Sequence, residues 1–335
     1  MNIRLNDKTC QGLFTPFFFV TILLLMSCDS NPTKSYRESL NWKTFNSANT
    51  GGGLVCDRVR CIVSDDQGNL WFGSCGLSKF DGANWESFTE TGNTFPYSID
   101  AIAIDSSGNL WLGVFEYYTN KGFVFRFDGS KFTNMDPDTT IFKNKMVWDI
   151  AVDADGVVWF ATNGRGILFY DGVSWDSVNQ RTSFKVSDYV NSAFVDSDNN
   201  KWFGAGAQLV KYDGISWVRY AAPTLINSIA QDLNGLLWMC SLSGGAFSFD
   251  VANWTVYDTT SSEIISNKVH DVVVDKDNVK WFATDMGACS FDGIDWNIYT
   301  TVNSGISSNL LTSVEVDSKG HKWFGTFENG VSVLK

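Results

Sequence analysis

From about Ser39 to Lys335 short apolar strands alternate with tight polar turns, and the turns repeat. Seven times a turn reads Asp-x-x-Gly/Asn-x-x-Trp: Asp65 to Trp71, Asp105 to Trp111, Asp153 to Trp159, Asp196 to Trp202, Asp232 to Trp238, Asp275 to Trp281 and Asp317 to Trp323. The first and last of these tryptophans stand 252 residues apart, six steps of 42. A period in this range with four short strands per repeat marks a β-propeller. A second unit, aromatic-Asp-Gly-x-x-Trp, follows in six repeats: Phe80 to Trp85, Phe127 to Phe132, Tyr170 to Trp175, Tyr212 to Trp217, Phe249 to Trp254 and Phe291 to Trp296, with Val251 in one glycine's place. In both units Asp accepts backbone N–H groups at the start of the turn, and Gly or Asn tolerates the positive φ that reverses the chain. The tryptophans supply large apolar plates to pack between neighbouring blades.

Ahead of each repeat aspartate lies an apolar strand. Six places before it the residue is always aliphatic: Val59, Ile99, Val147, Val190, Ile226, Val269 and Leu311. Such a run suits the crowded strand nearest the axis. The seventh repeat stops after Gly330-Val331-Ser332-Val333-Leu334-Lys335 without its second unit, while Ser39-Leu40-Asn41-Trp42-Lys43-Thr44-Phe45 precedes the first repeat and matches an outer strand. The expected fold is all-β: a seven-bladed propeller of four-stranded antiparallel blades, its ring closed by the N-terminal strand joining the C-terminal blade, over residues 39–335.

The first residues read differently. Arg4 and Lys8 precede an apolar run from Leu13 to Met26, too short and too interrupted by Pro16 for a span, and it ends at Ser27-Cys28. This predicts a signal peptide over 1–27, then a lipidated Cys28 and a linker over 28–38. Leu25-Met26-Ser27-Cys28 resembles a bacterial lipobox, so the only membrane attachment expected is an N-terminal lipid. An ordinary signal peptide or an uncleaved anchor is the alternative. Export permits disulfides, and Cys75 is placed to pair with Cys56 or with Cys61, unless these stay free thiols. No Cys spacing suggests zinc.

Composition narrows the function classes. Asp and Glu number 37 against 25 Lys and Arg, for a net charge of −12, so phosphate backbones are repelled and nucleic acid is not an expected partner. With 19% charged residues, 29 glycines and 26 phenylalanines, neither a disordered acidic chain nor a coiled coil fits.

Segments such as Ile102-Ala103-Ile104-Asp105-Ser106-Ser107-Gly108-Asn109-Leu110-Trp111-Leu112-Gly113 and Gly76-Leu77-Ser78-Lys79-Phe80-Asp81-Gly82 resemble the two-component regulator propeller repeat. That resemblance covers about residues 39 to 335. It implies the exported sensor portion of bacterial hybrid histidine kinases, often glycan-responsive. No kinase segment follows the propeller, so the expectation is a stand-alone, monomeric binding module of the cell envelope, on the periplasmic or surface side, with a glycan or an envelope protein as partner.

The variable links should gather on one face, here the upper one. The lower turns keep constant length, whereas upper links run from nine residues (71 to 80) to sixteen (111 to 127). Two groups on that face are candidates for ligand binding. One is the position five before each repeat aspartate: Arg60, Asp100, Trp148, Asn191, Asn227, His270 and Thr312. The other is the aromatic extension with Phe115, Tyr117 and Tyr118. No catalytic residue, cofactor or metal is assigned. Virginiamycin B lyase has a similar repeat and uses clustered His and Glu, but His270 is alone on the upper face and His321 belongs to a lower turn, so a lyase or hydrolase is the minor alternative, beside a scaffold without a small ligand. Asp153-x-Asp155, Asp196-x-Asp198 and Asp275-x-Asp277 offer two carboxylates each, too few for a calcium loop.

Overall fold

The computed structural model describes residues 41–88, 98–136, 141–142, 145–182 and 184–335. The expected signal peptide, Cys28, the linker, Ser39 and Leu40 lie outside the described residues. The described chain forms 28 strands in seven four-stranded antiparallel sheets, each a blade, and no helix. Blades one to seven open with the strands Cys61–Ser64, Ser98–Ile104, Val147–Val152, Val190–Val195, Ser228–Gln231, Val269–Val274 and Leu311–Val316. These opening strands contact one another in sequence, and the seventh contacts the first, so they ring the axis. Blade seven is completed from the other end of the chain: Trp42–Phe45 pairs antiparallel with Val331–Leu334, with Lys43 opposite Val333. The sheet edge left open by the truncated last repeat is thereby filled.

The spacing of the first repeat unit has a physical cause. In every blade the aspartate's Oδ2 accepts the indole Nε1–H of the tryptophan six residues on, at 2.7 to 3.2 Å. Its Oδ1 accepts the N–H groups two and four residues on, as in Asp153 with Asp155 and Val157 at 3.0 and 2.9 Å. The fourth residue of the turn has positive φ in all seven copies, from 61° at Asn199 to 84° at Gly235, which is why only Gly and Asn occur there. The paired aspartates that resemble calcium loops are thus used in hairpin capping. In the second unit the aromatic residue and the closing Trp or Phe are cross-strand partners, their rings 4.3 to 5.1 Å apart.

The core lies between blades. Each first-unit tryptophan packs into a cluster formed mainly by the next blade: Trp71 with Leu112, Trp159 with Phe203, Trp281 with Phe324 and, across the closure, Trp323 with Phe72. Lysines before three of these tryptophans reach back to the previous blade's turn aspartate, Lys201 to Asp153 at 3.0 Å and Lys322 to Asp275 at 3.1 Å, with Lys280 to Asp232 longer at 3.9 Å. Of the two pairings open to Cys75, the structure has Cys56–Cys75. Cys61 is free and its thiol faces the Ile99 carbonyl.

Candidate functional site

The inner strands carry a local irregularity that builds the site. In blades two, three, four, six and seven the pairing of the innermost strand skips one residue, a β-bulge, and the skipped residues are Asp100, Trp148, Asn191, His270 and Thr312. A bulge leaves its extra residue outside the ladder and re-aims its side chain. In blades one and five the equivalent Arg60 and Asn227 stand just before the strand, their N–H groups bonded to the carbonyls of Gly73 and Cys240 at 2.8 Å. The aliphatic residue preceding each of the seven is buried. That anchor fixes the backbone while the next side chain turns to the axis.

All seven of these residues line one central cavity of about 550 Å³. Arg58 lines it as well, together with Leu242 and Phe327, which come from the links between the second and third strands of blades five and seven. The strand starts and these links therefore share one mouth. Arg60 pairs with Asp100 at 3.1 Å, and its guanidinium lies 5.6 Å from the ring of Tyr117. Asp100 also accepts the Ser98 hydroxyl at 2.9 Å; its other oxygen is buried without a partner. Burial outweighs Arg60 and raises the Asp100 pKa. Trp148 is 41% exposed. Burial lowers the His270 pKa, and its Nε2 is buried and unpartnered. The Thr312 hydroxyl is engaged in a bond to the Val59 carbonyl across the ring closure.

The three aromatics of the extension separate. Tyr117 is half-exposed beside Arg60 and Tyr118 is almost fully exposed, but Phe115 is only 6% exposed and packs edge-on against Tyr117. Phe115 supports the Tyr117 ring and has no face to offer a ligand. It lies on the same strand as Val114, paired opposite Ser98, which carries it into the blade.

Sequence reasoning missed the acids deeper in the lumen. Asp149 and Asp271 follow the bulge residues of blades three and six and, with Glu315, line the same cavity. Each bridges to the next blade: Asp149 accepts the Ala193 N–H at 2.9 Å, Asp271 the Val314 N–H at 2.9 Å, and Glu315 the Ser64 hydroxyl at 2.6 Å. Burial pushes Asp149 and Glu315 up to about 7 and also raises Asp271. Each keeps some accessible surface, facing a lumen ringed by the seven inner strands. The signal available in the sequence was, for Asp149 and Asp271, an acid at the fourth place before a repeat aspartate, where other blades carry Ala, Ser or Cys, and for Glu315 an acid at the second place, where others carry Val, Ala or Phe. Among the described residues no three His, Cys, Asp or Glu side chains are grouped to hold a metal. The second histidine, His321, bonds the turn aspartate Asp317 at 2.9 Å.

Comparison with known proteins agrees with this geometry. The family model of the two component regulator propeller matches residues 53–76 and 141–164. No curated protein matches the sequence. Among solved structures, the extracellular domain of a protein described as a hybrid two component system of B. thetaiotaomicron superposes with TM-score 0.71 at 18% identity, over 88% of this chain and 39% of that one. A streptogramin B lyase superposes with TM-score 0.69 at 17% identity, over 88% of this chain and 97% of the lyase. PorZ, a surface component of the type-IX secretion system of Porphyromonas gingivalis, gives 0.63 at 18%, over 83% of this chain and 46% of PorZ. This chain thus spans about two fifths of the first of these proteins, and at such identities the likeness is one of fold. The family model recognises its repeat in two stretches of the chain, and the seven blades share one Asp-to-Trp unit.

Proposed function

We propose that this protein is an exported binding or sensing module of a bacterial envelope, monomeric, tethered through a lipid on Cys28 after removal of residues 1–27, and that the upper mouth binds a glycan. The observation that carries this reading is the convergence of one bulge or strand-start residue from every blade on a single cavity of about 550 Å³. That volume lies in the usual range for small-ligand sites. Amides of Asn191 and Asn227 suit sugar hydroxyls, and the exposed Trp148 and Tyr117 rings suit the apolar face of a pyranose. The extracellular sensor domain that shares the wheel supports export and sensing. A lyase is disfavoured by the lone imidazole: His270 has no second histidine with it, since His321 is held by a turn aspartate.

The test is a screen of soluble oligosaccharides against the full chain, followed by calorimetry on the hits. Saturable binding weakened by about tenfold or more in Trp148→Ala is the expected result, the scale for losing one stacked aromatic. Saturable binding that ignores both Trp148→Ala and Tyr117→Ala sinks the assignment of the mouth. Turnover of a hit, abolished in His270→Ala, would move the protein to the lyases. Capture of an envelope protein with no sugar binding would make it a scaffold.

A further inference from the structure

The mouth carries an arginine with no carboxylate paired to it. In a chain with a net charge of −12, Arg58 and Arg60 sit two residues apart on the rim of the same cavity. Arg60 is neutralised by Asp100 at 3.1 Å. Arg58 has no carboxylate within ion-pair distance among the described residues. Its guanidinium lies 3.9 Å from the centroid of the Phe327 ring. A guanidinium stacked on an aromatic face keeps its N–H donors at the edge, in the fork that matches a carboxylate. Burial and the neighbouring charge of Arg60 both make Arg58's own charge less favourable, and Tyr117, Asp100 and Glu328 compensate in part. Asp100 and Glu328 act on Arg58 from beyond pairing distance, and the acids Asp149, Asp271 and Glu315 lie deeper in the lumen with their own bonds to neighbouring blades, so no carboxylate occupies the Arg58 fork.

Resting on the reading of the mouth as a glycan site, we infer that it selects acidic saccharides, with Arg58 as the anchor of a sugar carboxylate. A ligand carboxylate would occupy the guanidinium fork that no protein carboxylate fills. The planar fork of Arg58 fits a carboxylate in two parallel hydrogen bonds. The rings that flank the arginines, Phe327 under Arg58 and Tyr117 beside Arg60, and the exposed Trp148 two blades further round, offer surfaces for the apolar face of the sugar. A uronic acid unites these features, a carboxylate on a ring with an apolar face. The acidic remainder of the protein surface repels such ligands, so the rim must supply the attraction locally.

The experiment is calorimetry on the full chain with a galacturonate trisaccharide and a hyaluronan tetrasaccharide, each against its carboxyl-reduced counterpart, which keeps the sugar and removes the charge. At least one acidic oligosaccharide should bind about tenfold or more tighter than its reduced form in low salt, and the gap should narrow at about 0.5 M salt. Arg58→Gln should erase the gap while leaving the reduced sugar's affinity within about twofold, and Arg58→Lys should keep part of it. Equal affinities of acidic and reduced forms, still lost on Trp148→Ala, would overturn the acid selectivity and leave the glycan site standing. An acid preference untouched by Arg58→Gln would overturn the role of Arg58. Binding of neither form overturns the inference, and the broader screen then decides the mouth separately. Preference for a tripeptide with a free C-terminal carboxylate over its amide, with no sugar binding, would overturn both readings.

Discussion

Removing the side chain of Asp196 tests the lock that sets the repeat. Its Oδ1 accepts the N–H of Asp198 at 3.0 Å and of Asn200 at 2.8 Å, while Oδ2 accepts the Asn200 amide at 2.8 Å and the Trp202 indole at 2.7 Å. Both Asp196 and Trp202 are buried. In Asp196→Ala the indole N–H is stranded where water does not reach it, at a cost of about 1–3 kcal/mol, and losing the charged acceptor of the turn adds about 1–2 kcal/mol. The Asp198 N–H, in an exposed turn, recovers part of this from solvent. The expected loss is about 3 kcal/mol in urea unfolding followed by circular dichroism. Pairing it with Trp202→Phe, which removes the stranded donor, gives a double-mutant cycle with an expected coupling of about 1–2 kcal/mol. A loss below about 1 kcal/mol, or a coupling near zero, would mean that the six-residue spacing reflects chain geometry and not the indole bond.

Three further outcomes follow from the same structure. Val251 occupies the glycine position of the second unit at φ 72°, where the five other turns have glycine at 93° to 108°; Val251→Gly should raise stability by about 1 kcal/mol, read as a higher Tm, and a lower Tm would refute the strain. Lys201 is buried against Asp153, and Lys201→Met, which keeps much of the volume, should cost about 3 kcal/mol; a neutral result would show that the inter-blade pair is dispensable. Asp149 and Glu315, pushed up to about 7 by burial, hold protons in the folded wheel that the unfolded chain releases near pH 4, so between about pH 4 and 7 stability falls as the pH rises. Asp81, held down at about 2 by the Asn84 N–H, and Asp258, by the Thr260 hydroxyl, act oppositely, and their contribution is lost as the pH falls below about 4. The Tm should therefore peak near about pH 4, with the fall toward neutral pH flattened in Glu315→Gln; a steady rise from about pH 4 to 7 would refute this.

The wheel was legible because each repeat solves the same problem with the same residues. Seven Asp-to-Trp units count the blades, and Trp42-Lys43-Thr44-Phe45, displaced from the end of the series to its start, reveals the closure confirmed by its pairing with Val331–Leu334. The position five before each aspartate was legible as a mouth position because periodicity alone carries it there. What periodicity does not carry is the bulge. A two-residue alternation would put Trp148 and Asp149 on opposite faces of a strand, yet both line the lumen. Asp149 and Asp271 stood out in the sequence as acids where other blades carry Ala, Ser or Cys, but strand alternation alone did not place them in the lumen. Phe115 was misplaced for the converse reason: on the extended strand Leu110–Glu116 its side chain goes into the blade, and composition alone cannot tell that from an exposed aromatic.

The division of labour between the two faces follows from where the core lies. Because the apolar clusters sit between blades and are filled by tryptophans locked to the lower turns, the lower face has little freedom in length or residue: an aspartate, a positive φ and an indole six residues on are needed together in every blade. At the upper end each inner strand is anchored by one buried aliphatic residue, and the bulge then releases the next side chain from the ladder and from the core. Nothing in the packing dictates that residue, so Arg, Asp, Trp, Asn, His and Thr all occur there on the same backbone. A position that the fold leaves chemically free in seven blades, and that points in each into one shared cavity, is where a repeat scaffold can acquire a ligand without losing stability.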